Sequence, residues 1–243
     1  MMVLRKCRKR WQYATSGTEV ISLFHLLQPF PREEELVARR LRAIGPNGWT
    51  DSQNSPHSRA MDDSANSLDG EQWMRLLEKV AISLGTEGPA VRLCLIGSAA
   101  CLFGGMNGRT SRDLDVWRPA SDYDRLELKT AIEDAGLLFD PKSILEPDRA
   151  YLQIVEPGLT QLGVFEPVLI DRIGRLQIFR PPVENLVAAK LIRADAKDLG
   201  DIRFLLQVHR PATEAIRTII DTLPPPARER ALENLVYLDI LQS

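Results

Sequence analysis

Residues 91–117, VRLCLIGSAACLFGGMNGRTSRDLDVW, most narrow what this chain can form. VRLCLI is a largely apolar run of strand length, as expected for a strand covered on both faces. A Gly-Ser turn follows, then small residues suited to a short helix over 98–103, which Gly104-Gly105 ends. A second strand then carries Asp-Leu-Asp. Strand residues alternate faces, so Asp113 and Asp115 point the same way. Two carboxylates on one face repel unless a cation or a proton sits between them. A Gly-Ser turn ahead of a helix offers free N–H groups to a polyphosphate. The combination describes a site for a metal-bound nucleoside triphosphate.

The same reading places the other elements. Asp69 caps a helix in which Trp73, Leu76, Leu77, Val80 and Leu84 recur at helical spacing, and 85–89 ends it. A helix over 121–136 has Ser121 as its cap and Gly136 as its stop. Short strands are expected at 137–139 and 150–155, and 163–170 and 176–179 pair as a hairpin. Pro181-Pro182 opens a helix over 183–194. Further helices follow over 197–208, 212–223 and 227–241. The fold class is therefore α/β (α+β): a small mixed sheet with flanking helices over 71–180, followed by a C-terminal helical region over 181–243.

Residues 1–70 differ. PREEELVARRLRAIG (31–45) can form a narrow amphipathic helix, but the polar, turn-rich stretch after it cannot bury enough apolar surface to offset its ordering entropy. Residues 1–70 are expected to be a poorly ordered extension. Met61 and Met74 offer alternative starts, in which case part of it precedes the true start. MMVLRKCRKR holds five Lys or Arg and no acid, and reads as a solvated tail. It makes a poor signal peptide, because polar residues interrupt the apolar part and no small-residue cleavage site follows.

Composition sets the remaining bounds. The 243 residues are 44% hydrophobic, enough for one good core plus appendages. A net charge of −2 gives no global nucleic-acid signature. No apolar run approaches the roughly 18 residues of a membrane span. Cys7, Cys94 and Cys101 form no CxxC and no paired framework, and the latter two read as reduced core residues. The expected location is cytoplasmic. IGSAA is not the GxSxG elbow of a hydrolase. GGMNG lacks the Lys-Ser/Thr of a P-loop. His25, His57 and His209 fall in unlike segments and suggest no ligand set.

Each candidate has a plainer alternative. A DxD at a strand end is commonly surface charge. Here the Gly97-Ser98 turn follows a buried strand and the acidic pair starts the next one. That suits Mg²⁺, which prefers a couple of carboxylates plus phosphate oxygens. Two such ions can clamp an in-line displacement. Arg109 can bind phosphate bidentately, or pair with Asp113 when no metal is present. Lys190, on the apolar helix LVAAKLI, either snorkels or aims at an anion. Asp198 and Asp201 read as helix-start and salt-bridge residues that fix the helical tail.

The segment GSAACLFGGMNGRTSRDLDVW resembles the hallmark of the DNA polymerase β-type nucleotidyltransferase superfamily. Within it, the chain resembles bacterial nucleotidyltransferase-like proteins related to abortive-infection toxins of toxin–antitoxin pairs. Arg109-Thr110 ahead of the acidic pair and the helical stretch PPVENLVAAKLIRADAKDLGDIRFLL (181–206) carry that closer likeness. The resemblance spans about 71–208 and leaves 1–70 uncovered. It implies that Gly97 and Ser98 contact the triphosphate, that Arg109 and Thr110 are nucleotide-binding, that Asp113 and Asp115 bind Mg²⁺, and that Lys190 and Lys197 face the nucleotide or the phosphates. It further implies NMP transfer from an NTP to a hydroxyl of RNA (tRNA among them) or of a protein, and a toxin role opposite an antitoxin protein.

One departure matters. Active members of the superfamily add a third carboxylate from a later strand, as metal ligand and base. In AYLQIV the inward position reads as Gln153, which takes no proton at neutral pH. Glu156, Glu166 and Asp171 are substitutes nearby. Glu166 is the preferred catalytic candidate, although Pro167 after it argues for a strand edge. A one-residue slip of register would swap the faces. Without a third acid the chain would be an inactive nucleotide-binding or protein-interaction module on the same fold.

Overall fold

The computed structural model describes residues 67–142 and 149–242. The expected helix at 31–45, the polar stretch after it, Cys7, His25 and His57 lie outside the described residues.

The first helix among the described residues, α1 (Gly70–Leu84), starts where the sequence places it. Asp69 accepts from the Gln72 N–H, and the Gln72 side chain accepts in return from the Asp69 N–H, a complete capping box. Gly85, at φ +69°, ends the helix. Trp73, Leu77, Val80 and Leu84 form its buried stripe. The Trp73 indole N–H donates to the Ser111 carbonyl at 2.9 Å, tying this helix to the approach of the acidic strand.

Six strands follow: β1 (Val91–Cys94), β2 (Asp113–Trp117), β3 (Leu138–Phe139), β4 (Tyr151–Val155), β5 (Val168–Ile173) and β6 (Leu176–Arg180). They form two three-stranded sheets, ordered β1-β6-β5 and β2-β4-β3. The first is mixed, because β1 runs parallel and β5 antiparallel to β6. The second is parallel throughout. A single antiparallel bridge, Leu95 to Val116, joins them edge to edge.

Between β1 and β2 lies the short helix α2 (Gly97–Leu102), and between β2 and β3 lies α3 (Arg125–Asp134). The expected start of α3 at Ser121 is displaced. Residues 118–120 form a 3-10 turn, and Asp122 pairs with Arg92 beside β1. Ser121 is thereby used elsewhere: its hydroxyl accepts from the Cys94 N–H and donates to the Trp117 carbonyl. Asp124 caps α3 instead.

The C-terminal helices are α4 (Val183–Leu191), α5 (Ala196–His209), α6 (Thr213–Asp221), α7 (Pro225–Glu233) and α8 (Val236–Gln242). The single helix expected over 227–241 breaks at Asn234, whose side-chain amide donates to the Leu191 carbonyl at 2.7 Å. The hairpin strand expected from 163 begins instead at Val168, since Gly163 holds φ +69°. Among the described residues, no helix is long and apolar enough to cross a membrane.

Strand alternation assigns the two sheet faces. Leu93, Leu95, Leu114, Val116, Leu152, Ile154, Leu176 and Ile178 join α1 and α3 in one buried cluster. Their neighbours in sequence therefore face the other way, among them Asp113, Asp115 and Gln153.

Candidate functional site

The acidic pair stands on the sheet face opposite that cluster. Asp113 is held from two sides: the Ser111 hydroxyl donates to Oδ1 at 2.6 Å and the Tyr151 hydroxyl to Oδ2 at 3.3 Å. Asp115 is different. No side chain among the described residues donates to its carboxylate. Burial, and then the like charge of Asp113, push its carboxyl up to about 6, although Lys197, Lys190 and Arg193 pull the other way.

The Gly-Ser turn sits directly against Asp115. Gly97 adopts φ +61°, and a Cβ built there would lie 2.7 Å from Asp115 Oδ2. Only glycine satisfies both the backbone and the contact. The Ile96 N–H donates to the Asp115 carbonyl at 2.9 Å, fixing the start of α2 to β2. The first turn of α2 has no side-chain cap.

The third position is resolved by register. β2 and β4 pair with Asp115 opposite Gln153 and Asp113 opposite Tyr151. Gln153 therefore occupies the place beside the acidic pair. Its amide donates to Asp140 Oδ1 at 2.9 Å, and Asp140 is paired with Arg125 at 2.6 Å. Glu166 stands elsewhere, exposed and outside any strand, ahead of β5 at the edge of the other sheet. Among the described residues, no group of three or more His, Cys, Asp or Glu side chains is placed to hold a metal ion. Asp113 and Asp115 are two carboxylates that could hold Mg²⁺ if phosphate oxygens completed its shell.

Basic residues approach from α4, α5 and the loop before β2. Lys190 is buried, with Nζ 2.6 Å from Asp201 Oδ2 and 3.2 Å from Asp198 Oδ1. Burial works against its charge, but Asp201 and Asp198 outweigh burial and hold its ammonium above the ordinary lysine range. Arg193 makes two hydrogen bonds to Asp198, at 2.7 and 3.0 Å. Arg109 donates to Ser98 Oγ at 2.7 Å and to Asp201 Oδ2 at 3.1 Å, so its carboxylate partner is Asp201 rather than Asp113. Lys197 is exposed and makes no ion pair among the described residues. Thr110 is half-buried and lacks a side-chain hydrogen bond among them.

A cavity of about 410 Å³ gathers part of this set: Gly97, Asp115, Lys190, Arg193 and Asp198 line it. Asp113, Ser98, Arg109, Thr110, Lys197 and Glu166 are not in its lining. A wider groove of about 670 Å³ lies by Arg210, Pro211 and Leu241, and no acid lines it. The two thiols among the described residues are inert at neutral pH: burial pushes both Cys94 and Cys101 up to about 12.

Sequence reasoning missed how Asp113 is held and how completely Asp198 and Asp201 are buried. Ser111, two residues before Asp113 on an extended segment, was a local signal. The Asp198-Asp201 spacing of three, which puts both on one helix face, was another.

No protein-family model, no curated protein and no solved structure matches this chain.

Proposed function

We propose that this protein is a Mg²⁺-dependent nucleotidyltransferase that moves NMP from an NTP to a hydroxyl of RNA or protein. The observation that carries the reading is the apposition of Gly97 to the carboxylate of Asp115. It sets a Gly-Ser turn and half of an acidic pair at one wall of a cavity lined also by Lys190 and Arg193. Asp113 and Asp115 are the residues that would hold Mg²⁺, which when bound would neutralise phosphate charge. An unpartnered Asp115 with a raised pKa fits that role, because a cation relieves the repulsion from Asp113. Gly97 and Ser98 would receive phosphate oxygens. Arg109 would turn part of its guanidinium, now on Ser98 and Asp201, toward them. Transfer forms a bond from the acceptor oxygen to the α-phosphorus, breaks the bond to pyrophosphate, and releases the acceptor's proton to solvent.

Gln153 favours a second reading. Beside Asp115 it supplies no base and no anionic ligand. A site with two carboxylates binds a metal–nucleotide complex yet transfers slowly or not at all. The chain would then be a nucleotide-binding or protein-interaction module.

The test is transfer of label from each of four α-labelled NTPs to total RNA and to protein. Wild type and the Asp113→Asn/Asp115→Asn double variant are compared. Label that requires Mg²⁺ and both aspartates establishes the transferase. Mg²⁺-dependent binding without label establishes the module. The toxin role against an antitoxin is proposed from the resemblance, and predicts that expression of wild type, but not of the double variant, arrests growth.

A further inference from the structure

Residues 156–167 join β4 to β5 without regular secondary structure. Connections of this length inside a compact fold usually carry function. This one is built rather than loose. Leu162 is buried and its carbonyl accepts from the Asn185 amide at 2.7 Å, and Asn185 is itself only 2% exposed. Gly163, next along, has φ +69°, and a Cβ there would lie 3.3 Å from both Ile219 and Thr222 of α6 and the residue after it. From this anchor the preceding residues, 158–162, form one wall of the cavity that holds Asp115 and Lys190.

The chemistry of that wall differs from the rest. The charged lining comes from β2, α4, α5 and the segment between those two helices, and Lys190, Arg193 and Asp198 already satisfy one another. The strap contributes Leu159, Leu162, Thr160 and Gln161. The last two are the uncharged hydrogen-bonding side chains of the cavity, and neither has a side-chain partner among the described residues. Aliphatic walls with an unpartnered amide and hydroxyl suit a flat, uncharged heterocycle with donors and acceptors on its edge. They are ill suited to phosphate, which needs charged or N–H donors. Given a triphosphate on Gly97 and Ser98, a nucleobase is the part of the same ligand with that character.

We propose that the strap 158–162 is the base-recognition wall of the site, with Gln161 and Thr160 as its specificity-determining side chains. The inference rests on the nucleotide reading above. A carboxamide offers two donors and one acceptor, and a hydroxyl one donor with two lone pairs. Together they reward a complementary base edge and leave a mismatched one with unpaired groups.

The test is equilibrium binding of the four Mg²⁺-bound α,β-methylene NTPs, and of inorganic triphosphate, to the full chain. Wild type, Gln161→Ala and Thr160→Val are compared, and their thermal melts check that the variants fold. Wild type should prefer one base. Each variant should flatten that preference roughly three- to tenfold, the worth of one hydrogen bond, with triphosphate binding unchanged. A wild type that binds all four equally overturns the inference, as does a preference that survives both substitutions. If none of the four binds wild type, the nucleotide reading itself is overturned, a result distinct from binding without discrimination.

Discussion

Asp115 carries the most informative electrostatics in the chain. Its carboxyl is raised from 3.8 to about 6, so the folded state disfavours its charged form. Below the unfolded value both states are protonated and nothing is lost. Stability falls as pH rises from 3.8 through 6, and the cost is constant above that. Asp115→Asn should therefore stabilise the ligand-free protein at pH 7.5 by on the order of 1–3 kcal/mol. The gain should vanish towards pH 4, which urea unfolding of both proteins at the two pH values checks. Such a cost at a residue kept ionisable is what a binding role leaves behind. The same proton competes with a cation, so Mg²⁺ affinity should drop about tenfold per pH unit below 6. Gly97 gives a companion prediction. Gly97→Ala adds a Cβ 2.7 Å from Asp115 Oδ2 at a φ of +61°, so it should cost about 1–2 kcal/mol and displace the carboxylate. Loss of Mg²⁺-dependent nucleotide binding in a still-folded protein would show it.

At the scale of elements, β2 and α5 were legible in different degrees. The DLDVW pattern named its own faces, because Leu114 and Val116 had to be buried and the aspartates therefore shared the other side. Capping chemistry likewise located the start of α1. Sequence could not rank Ser121 against Asp124 as a cap, since the choice turns on Asp122 pairing with Arg92, thirty residues upstream. It also could not tell that Lys190, on α4, meets two acids of α5. The sequence reads Asp198 and Asp201 as salt-bridge residues, and the packing of the helices supplies their partner. That packing is demanding. Asp201 is fully buried, and removing its ammonium partner leaves a buried charge with only Arg109. Lys190→Ala should destabilise by about 3–5 kcal/mol. Lys190→Met combined with Asp201→Leu should recover much of that, because the cost lies in the unpaired charge rather than in the lost pair. Denaturant midpoints of the single and double variants decide it. No recovery would make the network more than a structural clamp.

Across the described residues, two small sheets meet edge to edge, with an apolar face under α1 and α3 and the acidic pair on the opposite face. The hydrophobic pattern specified that division. Sequence reading also put Gln153 inward in AYLQIV, and the pairing of β2 with β4 bears that out by setting it opposite Asp115, in a register that the packed sheet fixes. Glu166, the sequence's preferred acid, fell outside any strand because Gly163 turns the chain towards α6 before β5 begins. On the proposed function, Asp113 and Asp115 would hold a metal–nucleotide complex against Gly97. Titration calorimetry of α,β-methylene NTPs into wild type and Asp113→Asn/Asp115→Asn, with and without Mg²⁺, tests it most directly. The expected result is binding of at least one NTP that requires Mg²⁺ and is lost in the double variant. Binding indifferent to Mg²⁺ and to both aspartates, or no binding of any of the four, would contradict it.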